Sequence, residues 1–314
     1  MRKLLRADRS EVDWTMAKID DNRDSLTRLR DDLDKPEQLP SYWNMSHNIP
    51  APLNRRGNPK MLVNVDKATK KAIEKLINAT WEQELVGKGA DAKGLNHNRI
   101  KVLSVQRVEN PALFNRYQDQ RKLLLEKMIR GGEPSRPIGY IKGTKGDLET
   151  TKELDDFMKS DLIKDINEHY LLHGTKVERI PALVRHGLDP KHSSPDAMFG
   201  KGIYAAESST KADQYADTED KRRPHKYRNK MILSRMLLGN VFLCNENHKS
   251  VANRYGPKLS GPPCMKCLED RCRCAQSEKF DSVMGDRHLR FREFVVYKKE
   301  QIYPEYVITY KRSM

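Results

Sequence analysis

Four cysteines stand close together in the segment CMKCLEDRCRC, as Cys264, Cys267, Cys272 and Cys274. Thiolates at such short intervals can surround one tetrahedral zinc ion, and four of them form a closed, structural site. Unmetallated thiols or disulfides are the alternatives, although Cys272 and Cys274 are too close in sequence for an easy bridge between them. We expect one structural Zn²⁺ in a loop over 260–278. The fifth cysteine, Cys244, is expected to be a buried apolar side chain.

Three other segments contain residues suited to chemistry. Glycines flank Lys201 in MFGKGIYAAESSTKADQY, over 198–215, and such glycines permit a ligand to approach the backbone closely. HGT, at 173–175, offers an imidazole that can both donate and accept hydrogen bonds. FREFVVY, at 291–297, places Glu293 in an apolar strand, where an unpaired carboxylate is costly. Glu293 is therefore a candidate for chemistry, with an edge-strand salt bridge as the alternative.

Two common nucleotide-binding patterns are excluded. No GxGxxG opens a helix after a strand, and the GTKG at 143–146 is followed by Asp147 instead of Ser or Thr, so no GxxxxGK[ST] loop is present. Any dinucleotide must be bound in another way.

In their order and spacing, the three segments resemble the PARP-type, diphtheria-toxin-like ADP-ribosyltransferases. The closing EQIYPEYVITY is most similar to the tankyrases within that family. The resemblance covers about residues 95–314, and more faintly begins near 60. It implies an enzyme that transfers ADP-ribose from NAD⁺, its substrate, to protein side chains and releases nicotinamide.

The resemblance also implies roles for individual residues. His173 would bond the ribose hydroxyls of NAD, the Gly174 backbone would bind the nicotinamide amide, and Tyr204 and Tyr215 would flank the nicotinamide ring. Glu293 would be the catalytic carboxylate, because breaking the glycosidic bond gives the ribose oxocarbenium character that a fixed negative charge stabilises. His173, Tyr204 and Glu293 would form the catalytic triad. A structural role in the core is the alternative for the histidine and the two tyrosines.

Two further positions are assigned to NAD by resemblance. Lys201 lies within the matched FGKGIY segment, and His192 lies in LDPKHSSPDA, which resembles the loop that covers NAD. A solvated loop histidine is the alternative for His192. One position departs from the family pattern SKSxxY, whose second serine bonds the nicotinamide amide, because this chain has Ala212 in TKADQY. A lost hydrogen bond costs on the order of 1 kcal/mol, so we expect weaker NAD binding and intact chemistry.

The position of the cysteine cluster differs from that of the short zinc motif in tankyrases. Theirs precedes the strand corresponding to MILSRMLLGNVFLC, whereas this cluster follows it. By resemblance, the cluster occupies the loop that faces the acceptor substrate. We hypothesise that the metal shapes acceptor choice, and a Cys272→Ser change that alters neither acceptor preference nor zinc content would refute this.

Lys and Arg outnumber Asp and Glu by 59 to 44, which gives a net charge of +15. Such a charge attracts polyanions, including NAD, nucleic acid and poly(ADP-ribose). The basic run KRRPHKYRNK, at 221–230, is a localisation signal, a polyanion patch or solvated surface. The chain has neither a signal-peptide core nor an apolar run of about 18 residues. We expect a soluble, intracellular protein without a membrane partner, in the nucleus more than in the cytoplasm.

Helical spacing over 1–35, followed by a stretch rich in Pro and Asn, predicts an N-terminal helical segment and linker over 1–55. The catalytic domain is then expected over 56–314. Its predicted elements begin with a helix over 65–83, a strand RIKVLSVQRVE, and a helix that Asn110 caps and Pro111 begins. Short strands alternate with short helices after residue 168. This order predicts an α+β fold with a split, largely antiparallel mixed sheet and flanking helices.

Three functions agree with these residues. Glu293 favours poly(ADP-ribose) formation, since family members without this residue generally transfer a single unit. Mono-ADP-ribosylation only is the alternative within the same class. A catalytically weak module that binds NAD, nucleic acid or poly(ADP-ribose) is the alternative from another class, supported by Ala212 and the basic charge. The expected partners are protein acceptors, including the chain itself, with nucleic acid or poly(ADP-ribose) as further possibilities.

Overall fold

The computed structural model describes residues 24–35, 39–44, 61–194, 196–217, 227–244, 259–275, 278–286 and 290–314. A helix, α1, spans 24–34. Residues 1–23 of the predicted N-terminal helices, 45–60 of the predicted linker and 221–226 of the basic run lie outside the described residues.

One sheet of nine strands organises the described part of the chain. In chain order the strands are β1 (Leu62–Asn64), β2 (Arg99–Val108), β3 (Glu168–Gly174), β4 (Ile203–Ala206), β5 (Asn229–Leu237), β6 (Val241–Cys244), β7 (Ser282–Gly285), β8 (Glu293–Val296) and β9 (Ile302–Ser313). The later helices are α2 (Lys67–Ala79), α3 (Pro111–Gly131), α4 (Glu149–Glu153), α5 (Asp156–Lys159), α6 (Ile180–His186) and α7 (Ser209–Asp213).

The sheet is divided at its centre. The strand order is β1-β2-β9-β5-β3-β4-β8-β7-β6, and every neighbouring pair is antiparallel except β6 and β7. Between β3 and β4 the register is a single pair, Leu172 opposite Ala206. This joint separates a five-stranded half from a four-stranded half. The predicted α+β fold with a split, largely antiparallel mixed sheet is confirmed.

Local sequence explains the longest helix. The side chain of Asn110 accepts a hydrogen bond from the Leu113 amide at 3.2 Å, and Pro111 occupies the first turn. Both features stabilise a helix start, as predicted. Buried residues then recur three or four positions apart along α3, from Leu113 to Met128, so one face packs on the sheet.

Helix α2 is shorter than predicted. It ends at Ala79, four residues before the end of the predicted helix at Gln83. The carbonyl of Thr80 accepts hydrogen bonds from the Ser209 amide at 3.1 Å and from the Ser208 hydroxyl at 3.2 Å. The Thr80 carbonyl thus accepts its hydrogen bonds from the start of α7, whereas in a longer α2 it would accept one from an amide of the same helix.

Two side chains from before residue 56 lie in the core of the sheet. Leu29 and Trp43 belong to the same buried cluster as Phe114 and Tyr303, and the ring centroid of Trp43 lies 5.2 Å from that of Phe114. The boundary at residue 55 stays a prediction. Among the helices of the described ranges, none is both long and apolar enough to cross a membrane.

Candidate active site

His173 and Gly174 end strand β3, beside the joint of the sheet. Nδ1 of His173 lies 2.7 Å from the carbonyl oxygen of Tyr204 on β4. Because a carbonyl oxygen can only accept, Nδ1 carries the proton and donates it. Burial lowers the pKa of His173, and this hydrogen bond opposes only part of that effect. The ring is therefore neutral, and its Nε2 is an acceptor suited to a hydroxyl.

Only glycine fits at position 174. A Cβ there would lie 1.9 Å from the carbonyl oxygen of Ala212 and 2.9 Å from Cβ of Tyr215. Neither contact is sterically possible, so any side chain would push α7 and the turn after it away from β3. The glycine lets these two segments meet and bring their side chains to one place.

Tyr204 closes the loop that precedes its own strand. Its hydroxyl accepts a hydrogen bond from the Phe199 amide at 2.9 Å and donates one to the Gly200 carbonyl at 3.0 Å. Burial raises the pKa of Tyr204, so the hydroxyl keeps its proton and can donate. The ring is thus held in place from both ends, by β4 and by its hydroxyl.

Glu293 opens strand β8, between β4 and β7, where it pairs with Ala206 and Gly285. Its Oε1 lies 3.0 Å from Nζ of Lys211, a residue of α7, and both side chains are largely shielded from water. Burial alone would lower the pKa of Lys211, but the charge of Glu293 and a contact with Tyr215 raise it above its ordinary value. The carboxylate therefore has a cation as its neighbour. The alternative prediction for Glu293 is a salt bridge on an edge strand. The salt bridge is present, but β8 is an inner strand of the sheet.

Tyr215 follows α7 and completes the wall that Lys211 begins. Its hydroxyl donates a hydrogen bond to Oδ2 of Asp91 at 2.8 Å, and Nζ of Lys211 lies 5.0 Å from its ring centroid. The side chain is 42% exposed, so one face of the ring is open to a ligand. A flat group could stack on it.

These residues surround one cavity of about 910 Å³, which lies at the joint of the sheet. Its lining includes the predicted residues His173, Gly174, His192, Tyr204, Tyr215 and Glu293. Ala212 also lines it, whereas Lys201 is exposed and does not. A cavity of this size, with few polar groups that converge, is typical of a small-molecule or cofactor site.

Comparison with known proteins agrees with this geometry. Residues 82–312 match the family described as poly(ADP-ribose) polymerase catalytic domain. This chain belongs to the PARP family. The prediction of a PARP-type ADP-ribosyltransferase domain is confirmed at the level of the family, while the closer similarity to tankyrases stays a prediction.

Several curated PARP proteins are similar over part of their length. A poly [ADP-ribose] polymerase of Sarcophaga peregrina is 26% identical over 224 residues, which are 62% of this chain and 22% of that protein. The protein mono-ADP-ribosyltransferase PARP14 of Homo sapiens is 23% identical over 218 residues, 68% of this chain and 9% of that protein. The mono-ADP-ribosyltransferase PARP11 of Mus musculus is 25% identical over 163 residues, 47% of this chain and 44% of that protein. The PARP domain thus spans less than half the length of each.

The four clustered cysteines of this PARP domain lie between β6 and β7, and their sulfurs are all within 4.8 Å of one another. Four thiolates around zinc, at about 2.3 Å each, need sulfur separations of about 3.8 Å, so the cluster fits this ion. The Lys266 amide donates to Sγ of Cys264 at 3.4 Å, and the Cys274 amide donates to Sγ of Cys272 at 3.1 Å. The latter contact comes first among those that lower the pKa of Cys272 to about 6, which favours its thiolate, whereas a hydrogen bond with Cys272 raises the pKa of Cys274.

None of the five cysteines is bridged, and Cys244 is fully buried, as predicted. The cysteine loop, here the described residues 259–275 and 278–281 between β6 and β7, touches the segment before Tyr204 through its first residues, Leu259 and Ser260. A Cβ at Gly200, whose φ is +83°, would lie 2.6 Å from the carbonyl oxygen of Leu259. Asp270 accepts hydrogen bonds from the amide of Ser260 at 2.6 Å and from its hydroxyl at 2.8 Å. The loop thus packs against the turn before Tyr204, and none of its described residues lines the cavity.

Two residues that line this site, Lys211 and Asp91, are not among those predicted from the sequence. Lys211 lies inside the TKADQY segment, where only Ala212 and Tyr215 were given roles. On a helix, positions four apart share a face, so Lys211 could have been placed beside Tyr215. Asp91 comes from a turn before β2 with no recognisable pattern, and no signal in the sequence pointed to it.

Proposed function

We propose that this PARP domain transfers ADP-ribose from NAD⁺ to protein side chains and extends it into poly(ADP-ribose), with His173, Tyr204 and Glu293 as the catalytic triad. The observation that carries the proposal is the position of Glu293. Its carboxylate lines the same cavity as His173 and both tyrosines, although these residues come from different strands and turns.

The geometry of the cavity supports the following binding roles. Tyr204 and Tyr215 would flank the nicotinamide ring, and the Gly174 backbone would bond its amide. Nε2 of His173 would accept a hydrogen bond from a ribose hydroxyl, because Nδ1 already donates to Tyr204. His192, in the turn Pro190–His192, is exposed beside the cavity and would contact NAD from the covering loop. Lys201, outside the lining, would act on NAD through its charge alone.

Glu293 has two proposed tasks. The bond between nicotinamide and ribose breaks with its electron pair leaving on nicotinamide, and the fixed carboxylate stabilises the positive charge that develops on the ribose. The acceptor oxygen then forms a bond to the same ribose carbon. During elongation, the carboxylate would polarise the attacking hydroxyl and take up its proton.

Transfer of a single unit is the second candidate, and the names of two of the similar proteins, PARP14 and PARP11, favour it. A catalytically weak module for NAD, nucleic acid or poly(ADP-ribose) is the third. Its support is the net charge of +15 and the absence of a serine at position 212. The carboxylate at position 293 speaks for an enzyme.

Incubation of the purified chain with labelled NAD, followed by a denaturing gel, tests the proposal. Wild type is expected to give a high-molecular-weight smear, and Glu293→Gln a single sharp band with initial turnover reduced by about 10²-fold or more. Glu300→Gln, on the surface beside Lys299, is the control and is expected to match wild type. A single sharp band from wild type would show that the protein transfers one ADP-ribose unit and does not extend it. Absence of label in all three proteins would favour the binding module.

We also propose that the cysteine cluster binds one structural Zn²⁺ and that its loop influences acceptor choice. The donor set supports the ion, and the contact of Leu259 with Gly200 brings the loop near the cavity. Zn²⁺ would supply rigidity, since four thiolates leave no position open for chemistry. A Cys272→Ser variant is expected to lose zinc and to change the set of labelled proteins in a mixture of acceptors.

The proposed partners are protein acceptors, including the chain itself, and the charge supports nucleic acid or poly(ADP-ribose) as a second class. The proposed location is intracellular, in the nucleus more than in the cytoplasm, on the strength of the basic run at 221–230. A fluorescent fusion tests the location. Replacement of Lys221, Arg222 and Arg223 by Ala is expected to move it from nucleus to cytoplasm.

A further inference from the structure

Asp91 reaches the cavity from a short turn that has local hydrogen bonds and one buried side chain. The turn, Ala90–Ala92, precedes β2 and has the fully buried Ala92 as its anchor. The Ala92 amide donates to the Gly89 carbonyl at 3.2 Å, and the Leu95 amide donates to the Ala92 carbonyl at 3.1 Å. The carboxylate of Asp91 lies at the edge of the cavity, where its side chain is 56% exposed and contacts Tyr215 and Lys211.

One oxygen of this carboxylate contacts two residues of the nicotinamide wall. Oδ2 of Asp91 accepts a hydrogen bond from the Tyr215 hydroxyl at 2.8 Å and lies 3.6 Å from Nζ of Lys211. The same Nζ lies 3.0 Å from Oε1 of Glu293. Tyr215, Asp91, Lys211 and Glu293 thus form a continuous row of contacts along one side of the cavity.

Tyr215 needs such a contact because packing holds it only in part. The residue is 42% exposed, and a side chain that is partly exposed keeps more rotamer freedom than a buried one unless a polar group fixes its end. Lys211 lies over one face of the ring, and Asp91 holds the hydroxyl. Ordering of the ring before the ligand arrives removes an entropic cost from binding.

We propose that Asp91 is a positioning residue of the NAD site, which fixes the ring of Tyr215 through its hydroxyl and so increases NAD affinity. The inference rests on the role proposed above for Tyr215 as a wall of the nicotinamide site. The proposed role needs an acceptor oxygen at this position, which a side-chain amide would also supply, whereas the charge of Asp91 acts on Nζ of Lys211 at 3.6 Å.

The test compares two single variants with their combination. Asp91→Ala and Tyr215→Phe each remove the hydrogen bond, and each is expected to raise the KM for NAD about fivefold with kcat nearly unchanged. The double variant is expected to show no further increase over Asp91→Ala, since Tyr215→Phe removes a hydrogen bond that Asp91→Ala has already removed. Asp91→Asn keeps an acceptor oxygen and is expected to restore a KM near that of wild type. Asp156→Ala, whose side chain is 99% exposed, controls for loss of one negative charge.

The dissociation constant of NAD, measured by titration calorimetry, separates this inference from the proposed function. A wild type that binds NAD without consuming it would overturn the transferase proposal, while the calorimetric comparison of the variants would still decide the role of Asp91. An unchanged dissociation constant in Asp91→Ala overturns the inference. Effects of Asp91→Ala and Tyr215→Phe that multiply in the double variant also overturn it.

Discussion

Arg292 and Glu207 form a buried, two-pronged ion pair next to the candidate catalytic carboxylate. Nε of Arg292 donates to Oε1 of Glu207 at 2.8 Å, and Nη2 donates to Oε2 at 2.6 Å. The guanidinium also donates to the carbonyls of Gly146 and Asp147. Because Arg292 precedes Glu293 and Glu207 follows Ala206, the pair holds the start of β8 against the end of β4.

Arg292→Leu is expected to lower the free energy of unfolding by about 3–5 kcal/mol, since it leaves the carboxylate of Glu207 buried without its cation. Urea unfolding at neutral pH measures the loss. Replacement of both partners, as in Arg292→Leu with Glu207→Leu, is expected to recover part of it, because the carboxylate of Glu207 is removed together with its cation. Recovery is expected to be incomplete, since Oδ2 of Asp286 lies 3.9 Å from Nη1 of Arg292 and still loses that neighbour.

The pair formed by Lys152 and Glu149 on the surface supplies the control. Its atoms are 2.7 Å apart, but both side chains are about half exposed, so Lys152→Ala is expected to cost less than about 1 kcal/mol. Equal losses of unfolding free energy in Arg292→Leu and Lys152→Ala would show that burying the pair of Arg292 and Glu207 does not increase the cost of breaking it.

Ala212→Ser is expected to strengthen NAD binding several-fold, which corresponds to on the order of 1 kcal/mol for one added hydrogen bond. Ala212 is 2% exposed and lines the cavity beside Gly174, so a hydroxyl there would face a bound nicotinamide amide. A titration of NAD against both proteins measures the change.

Ala216→Ser is the matched control for this prediction. Ala216 belongs to the same buried cluster and is 1% exposed, but it does not line the cavity. Its serine variant is expected to lose stability without a gain in affinity. Weaker or unchanged NAD binding by Ala212→Ser would mean that the hydroxyl finds no partner in the ligand.

Features set by neighbouring residues in the sequence were predictable. Asn110 and Pro111 begin α3 as expected, because capping depends on residues three positions apart. The order of the motifs around His173, Tyr204 and Glu293 pointed to one cavity, which the split sheet provides. The end of α2 was not predictable, because the Thr80 carbonyl bonds to serines that lie far along the chain.

The partners of the site residues could not be predicted for the same reason. The chain has 59 Lys and Arg residues, and nothing in the segment FREFVVY indicates that Lys211 would be the one that pairs with Glu293. Asp91 meets Tyr215 only because the turn before β2 folds over the end of α7. Such contacts depend on tertiary packing, which local patterns do not encode.

Stability is expected to fall between pH 6.5 and 4, in part because of His169. Burial lowers the pKa of His169 to about 4, and the charge of Arg292 acts in the same direction. An unfolded histidine titrates near pH ~6.5. Between that pH and ~4, the unfolded chain therefore binds a proton at His169 that the folded chain does not bind. The stability that the neutral ring contributes is fully present above pH ~6.5 and is lost as the pH falls towards ~4, by on the order of 3 kcal/mol.

His169→Asn removes this titration and keeps a polar group near the Thr151 hydroxyl, which lies 3.0 Å from Nδ1. The difference in unfolding free energy between pH 7 and pH 5 is therefore expected to be smaller in the variant than in wild type. Urea unfolding at the two pH values measures it, and an equal difference in both proteins would assign the acid sensitivity to other groups.

Removal of zinc is expected to weaken both the fold and NAD binding, because the cysteine loop supports the segment before Tyr204. Cys267→Ser should lower the zinc content from one ion per chain towards none and reduce Tm by about 4 °C or more. The KM for NAD should rise, because Gly200 packs against the backbone of Leu259 and Ser260. The carbonyl of Gly200 accepts the hydrogen bond that holds the Tyr204 hydroxyl. Cys244→Ser is the control: it lies outside the cluster and should keep its zinc while losing stability through burial of a hydroxyl. A Cys267→Ser protein with full zinc content would exclude a four-cysteine site, and one that lost zinc with an unchanged KM would show that the loop does not act on the nicotinamide wall.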